Sequence, residues 1–354
     1  MFELVYIMLG EGCNFNCKYC MQHPILTQPL PSKVSPNLIS YLANMEQPRE
    51  RKIKIIFFGG EPLLYFDAIK TIVNCLKYSN KFYYVIITNG SLLTDEMIEF
   101  INKNEIGVGV SNDGRKTFQF RDINVLENEQ TFQKLNKLRS WGVSAVLNAQ
   151  NFNIREDMFQ YFADKGIDAD RVNIDLILDT GLNNKYLVDF DFESFQKVMD
   201  SVEQSIFESL TTGEPRPEMS IANPLINRLR EILGQDNESS RFDLLDVPKC
   251  GVGMRALNVD LEGNCYLCHN SSIKIGTIED SYEQLVEKFL PYNLYAKSEK
   301  CQNCDVQLLC AGGCILVGNE SREQYYCRLN QIYYGAFLNA LKRINKYLIN
   351  KEEC

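Results

Sequence analysis

Thirteen cysteines constrain this chain of 354 residues more than any other feature, because they are gathered into groups. Three fall between positions 13 and 20, eight between 250 and 327, and only Cys75 and Cys354 stand outside. The opening segment MFELVYIMLGEG has neither a basic region nor a cleavage site and reads as a buried strand, so an exported disulfide framework is not expected. Clustered thiols without an export signal bind metal more often than they pair. The histidines are just His23 and His269, too few for mixed Cys/His zinc sites, which leaves all-thiolate iron–sulfur or zinc. A formal charge of −9 argues against a nucleic-acid partner, and no apolar run is long enough to span a membrane.

The first half alternates apolar runs with amphipathic stretches. Phe2–Leu9, Ile53–Phe58, Tyr83–Ile87, Ile106–Val110, Val143–Ala149 and Arg171–Ile177 are the expected strands. One helix should open at Ser35-Pro36, and another at Thr94 followed by Asp95 and Glu96. Successive βα units imply an α/β fold with a parallel sheet over residues 1–184, open or curled into a partial (β/α)6 barrel, the latter being the expectation. Residues 185–249 read as a helical bridge, with a loop at Thr212–Pro217 and a polar break near Gly234–Arg241. A cysteine-rich domain of hairpins and short helices is expected over 250–330 and a terminal helix over 331–354. Cys75 lies in the helical pattern Phe66–Tyr78 and is expected in the core, while Cys354 is expected to be a free, frayed thiol.

Cys13-Asn-Phe-Asn-Cys17-Lys-Tyr-Cys20 has the spacing CxxxCxxC directly after the first strand. Three thiolates on one loop can each bind one iron of a cubane and leave the fourth iron open to a small molecule. The alternative is a zinc knuckle, for which His23 is the one histidine nearby. Gly59-Gly60-Glu61-Pro62 follows the second strand, where glycine permits close backbone approach and a carboxylate suits an ammonium group.

These segments resemble the radical S-adenosylmethionine superfamily. The resemblance implies that Cys13, Cys17 and Cys20 hold a [4Fe–4S] cluster whose open iron chelates S-adenosylmethionine. Reductive cleavage would then give a 5′-deoxyadenosyl radical that abstracts hydrogen. Tyr19 stands at the family's adenine-facing position. Gly59, Gly60, Glu61 and Pro62 match the family's GGEP segment. Thr88-Asn89, Ser111, Arg121 and Asn148 follow later strands and are the further candidates for the same ligand.

The second group runs Cys250, Gly263, Cys268, then Cys301-x2-Cys304-x5-Cys310-x3-Cys314 and Cys327. It resembles the SPASM extension of radical enzymes, and CGVGMRALNVDLEGNCYLCH reads like that extension's first hairpin. The resemblance implies two auxiliary [4Fe–4S] clusters, three clusters in all. Cys250, Cys268 and Cys314 would bind the first, and Cys301, Cys304, Cys310 and Cys327 the second. Paired structural zinc sites are the alternative. Cys265 is expected as a fourth ligand to the first auxiliary cluster, with hydrogen donation as a lesser role. Strand alternation would instead make it a packing residue.

SPASM enzymes mostly modify peptides or proteins, so a ribosomally made peptide is the expected substrate, with a crosslink or other modification as product. Oxidation of a sulfatase residue is an alternative, which His269 weakens by standing where that group often has an aspartate base, although its imidazole can itself take a proton near neutral pH and is the candidate base. A small-molecule radical enzyme and a non-catalytic iron–sulfur carrier are the others. Twelve residues precede Cys13, so recognition is expected from the barrel, the bridge or a separate leader-binding protein. A flavodoxin or ferredoxin would supply electrons, in the cytoplasm.

Overall fold

The computed structural model describes residues 1–22, 33–47, 51–179, 185–233, 250–292 and 299–352. His23, the break at Gly234–Arg241 and Cys354 lie outside these residues. The strands described are β1 (Leu4–Met8), β2 (Ile53–Phe58), β3 (Phe82–Thr88), β4 (Gly107–Ser111), β5 (Trp141–Leu147), β6 (Val172–Leu176), β7 (Ala256–Asp260), β8 (Asn264–Tyr266) and β9 (Lys274–Thr277). Each expected strand forms, shifted by no more than two residues at either end.

The chain divides into two compact units. The first comprises Met1–Asn112, Thr117–Ser144 and Cys250–Leu294. In it, β1 through β5 pair in parallel, with registers such as Met8↔Phe58 and Ser111↔Ser144. Alternate residues of β1 explain why: Val5 and Ile7 are fully buried, while Tyr6 and Met8 stay half-open on the other face. Helices α1 (Pro36–Asn44), α2 (Phe66–Leu76), α3 (Asp95–Lys103) and α4 (Glu129–Leu135) alternate with these strands. Ser35 caps α1 by accepting from Asn37 N, and Thr94 caps α3 by accepting from Met97 N, as their sequences predict.

Two expectations are corrected. Cys75 is exposed, because Ile69, Ile72, Val73 and Leu76 already form the buried stripe of α2 and position 75 falls outside it. The cysteine-rich segment also contributes to the main sheet, since β7 pairs in parallel with β1 from Leu4↔Ala256 to Met8↔Asp260. This covers an edge that would otherwise leave β1 hydrogen-bonding groups unpaired. β8 and β9 continue antiparallel from β7. The strand order is linear, so the sheet does not close on itself.

The second unit comprises Asp113–Lys116, Ala145–Lys249 and Tyr295–Cys354. The end of β5 meets the end of β6 there, Ile177 N donating to Leu147 O at 2.9 Å. The helix Phe192–Thr212 lies against the helix Cys327–Glu352, with Arg343 bonded to Glu203 at 3.0 Å. The latter helix begins four residues before the expected Gln331. No described helix is long and apolar enough to cross a membrane.

Candidate active site

The cysteine loop follows β1 and is stapled to the loop after β2 chiefly by backbone. Gly60 N donates to Gly10 O at 2.9 Å and Glu61 N to Gly12 O at 2.8 Å. A Cβ on Gly59 would sit 2.5 Å from Gly10 O, and one on Gly60 would sit 2.2 Å from Gly12 O. Glycine is therefore required here so that the two loops can touch, a closer reason than approach to a ligand. Tyr65, which sequence reasoning missed, completes the staple by accepting from Gly12 N at 2.7 Å.

Glu61 also has a structural task. Its carboxylate is buried, accepting from Thr88 Oγ1 at 2.5 Å, Asn89 N at 2.8 Å and Leu63 N at 3.0 Å. Burial raises its pKa and those three bonds oppose the rise. Both oxygens are thus occupied inside the protein, so Glu61 ties the loops after β2 and β3 together and caps the short turn that begins at Pro62. Thr88 and Asn89 belong to the same brace. Asn89 Nδ2 donates to Asn14 Oδ1 at 2.8 Å, and Asn14 Nδ2 to Ser91 Oγ at 2.9 Å, fixing the cysteine loop from a third side.

A fourth side comes from the segment after β4. Lys18 N donates to Phe120 O at 2.8 Å and Asn16 N to Asp122 Oδ2 at 2.7 Å. Phe15 N lies 3.4 Å from Cys13 Sγ, and Arg121 Nη1 lies 3.9 Å from Cys17 Sγ. Burial pushes the Cys13 thiol up, the Phe15 N–H opposes it, and the charges of Glu61 and Cys20 add to the rise. Three soft sulfur donors on one braced loop, two of them already facing N–H groups, fit a thiolate-bound iron–sulfur cluster. Such a metal would favour the thiolate over the thiol that burial favours.

Ser111 ends β4 half-buried. Asn148, in the second unit, is buried, and its Nδ2 has no hydrogen-bond partner among the described residues.

His269 sits beside the carboxyl ends of β1 and β2. Its ring stacks on Tyr6 at 4.1 Å and meets Phe58 edge-on at 4.7 Å, and its backbone carbonyl accepts from Gln22 Nε2 at 3.0 Å. Burial pushes its pKa down to about 4, so the imidazole is neutral near pH 7. Tyr6 and Phe58 left no trace in motif reading, since aromatic strand residues are ordinary core material.

In the hairpin, Cys268 Sγ accepts from Asn270 N at 3.3 Å. Cys265 is fully buried on β8 beside Tyr41, Asp260 and Asp280. Burial first, then the two aspartates, push its thiol up to about 12. A register shift does follow Cys265, where the strand meets β9. Cys250 and Cys268 belong to the first unit and Cys314 to the second.

Cys301, Cys304, Cys310 and Cys327 are electrostatic neighbours in the second unit. Burial, then the charges of the other three, push Cys310 up to about 12, and Cys327 is raised by burial and by Cys301 and Cys304. Gln331 Nε2 lies 3.8 Å from Cys304 Sγ. Arg322 braces the connecting loop by donating to the carbonyls of Val317, Gly312 and Cys314, another contribution the sequence did not signal. No three Cys, His, Asp or Glu side chains among the described residues are already drawn to metal-site spacing.

Comparison with known proteins gives the chain's family. The sequence model of the Radical SAM superfamily matches residues 7–191, and the chain belongs to that superfamily. It is therefore an enzyme of radical chemistry, for which membership implies S-adenosylmethionine and a [4Fe–4S] cluster. It is 24% identical to the radical SAM cyclopropyl synthase TigE of Paramaledivibacter caminithermalis, over 88% of this chain and 68% of TigE. It is 22% identical to a cysteine-type anaerobic sulfatase-maturating enzyme of Clostridium perfringens, over 95% of each. Its fold matches that of anSMEcpe with bound AdoMet and Cp18Cys peptide, with TM-score 0.70, 19% identity, and 97% and 99% of the two chains covered.

Proposed function

We propose that this enzyme modifies a ribosomally made peptide by hydrogen abstraction, using the cluster on Cys13, Cys17 and Cys20 and two auxiliary clusters. The observation that carries this reading is the group of Cys301, Cys304, Cys310 and Cys327, mutual neighbours beyond the residues 7–191 of the superfamily match. Cys250, Cys268 and Cys314 complete the SPASM ligand set in this reading. When loaded and reduced, the first cluster supplies the electron that cleaves S-adenosylmethionine.

The chain's own residues have distinct tasks. Gly59, Gly60, Glu61, Tyr65, Thr88, Asn89 and Asn14 hold the cysteine loop in place, so the radical forms at a fixed position. Ser111 and Tyr19 present a hydroxyl and a ring to the ligand. His269 stands where the sulfatase-maturing group often has an aspartate base, which favours a peptide maturase over sulfatase-type oxidation. An electron carrier of flavodoxin or ferredoxin type, cytoplasmic location and a separate leader-binding protein belong to the same proposal.

The test uses anaerobically reconstituted full chain with dithionite, S-adenosylmethionine and, in turn, each short peptide found encoded beside its gene. Wild type should carry about twelve irons, and Cys13→Ala/Cys17→Ala/Cys20→Ala about eight, by cubane stoichiometry. Wild type should form 5′-deoxyadenosine and shift the peptide's mass, and the triple variant neither. Undiminished cleavage by that variant overturns the cluster assignment, and cleavage with no change in any neighbouring peptide overturns the substrate assignment.

A further inference from the structure

Arg121 stands between two groups that the resemblance treats separately. Its flanking residues dock on the cysteine loop, through Lys18 N to Phe120 O and Asn16 N to Asp122 Oδ2. That clamp holds the backbone on both sides of Arg121. From there Nη1 reaches to 3.9 Å of Cys17 Sγ, while the guanidinium carbon lies 5.2 Å from the centroid of the Tyr19 ring. One planar cation thus serves a cluster-loop sulfur and an aromatic face two residues apart.

We infer that Arg121 is a positioning residue that tunes the N-terminal cluster through Cys17 and fixes the Tyr19 ring for the adenine. This rests on the cluster reading above. The cluster becomes one unit more negative when it accepts an electron from the external reductant. A fixed cation and an N–H directed at a ligand sulfur both favour that more negative state, and such contacts set cluster potentials. The guanidinium also covers one face of Tyr19, leaving the ring less free to rotate. Lysine could keep the charge but not the flat, forked contact.

The experiment is an EPR-monitored redox titration of reconstituted full chain, comparing wild type, Arg121→Gln and Arg121→Lys. R121Q should disfavour the reduced N-terminal cluster about tenfold, a fall of about 59 mV for one electron. The auxiliary signals should keep their midpoints. R121K should recover most of that potential yet bind S-adenosylmethionine several-fold more weakly than wild type. A wild-type midpoint in R121Q overturns the inference. If R121Q fails to load its cluster, wild type grown with 15N-arginine decides. Pulsed EPR of its reduced cluster should show a 15N coupling, and none would overturn the inference. Failure of the function reading looks different: the triple cysteine variant would then cleave S-adenosylmethionine normally, whatever Arg121 does.

Discussion

Replacing Gly60 by alanine tests whether backbone contact between two loops builds the site. The new Cβ would stand 2.2 Å from Gly12 O and 2.5 Å from Glu11 O, both main-chain atoms that no rotamer change can move. Ordinary contact begins at 3.4 Å, so the cysteine loop must withdraw by roughly 1 Å, since packed interiors do not compress to absorb the clash. That movement breaks the bonds from Gly60 N to Gly10 O and from Glu61 N to Gly12 O. Each is worth about 1 kcal/mol, and residual crowding adds about 1–3 kcal/mol, for a loss of about 3–5 kcal/mol. The chemical cost should be larger, because a 1 Å misplacement of a reacting group can cost about a hundredfold in rate. The assays are denaturant unfolding, iron content and 5′-deoxyadenosine formation under anaerobic reduction. Gly335→Ala serves as control, since Gly335 lies in the helix Cys327–Glu352 with open space around it. It should stabilise by about 0.5–1 kcal/mol and leave the rate alone. If Gly60→Ala keeps its iron and stays within about twofold of the wild-type rate, the steric argument is wrong.

Two further substitutions probe the same reasoning. Tyr65→Phe removes the acceptor of Gly12 N and should cost about 1–3 kcal/mol for the unpaired buried donor, seen as a lower urea midpoint at constant slope. An unmoved midpoint would mean that Gly12 finds another partner. Cys265→Ala should leave iron content and auxiliary-cluster spectra as in wild type while destabilising by about 1 kcal/mol for lost apolar burial. Loss of an auxiliary signal would establish Cys265 as a ligand instead.

Much of the fold and the identity of the site were legible because their signals are local. A CxxxCxxC run places its thiols on one loop whatever surrounds it, and period-two alternation in a segment such as β1 declares a strand by itself. Caps behave likewise, since Ser35 and Thr94 act on amides two or three residues away. The roles of individual residues were less legible. Glu61 reads as a free carboxylate until Thr88 and Asn89, 27 and 28 residues later, are seen to occupy it. Cys75 reads as core until its neighbours are seen to fill the inward face of α2.

The sequence by itself determined the α/β class, the order of the strands along the chain and which thiols are available to metal, because each depends on spacing over a few residues. Only the tertiary structure decided that β7 completes the sheet beside β1, some 250 residues away, and that Tyr65 meets Gly12 across 53. It also decided that Arg121 reaches Cys17 across 104 residues. Such pairings depend on which surfaces burial brings together, and no local pattern encodes the partner of a strand edge, an amide or a sulfur so far along the chain.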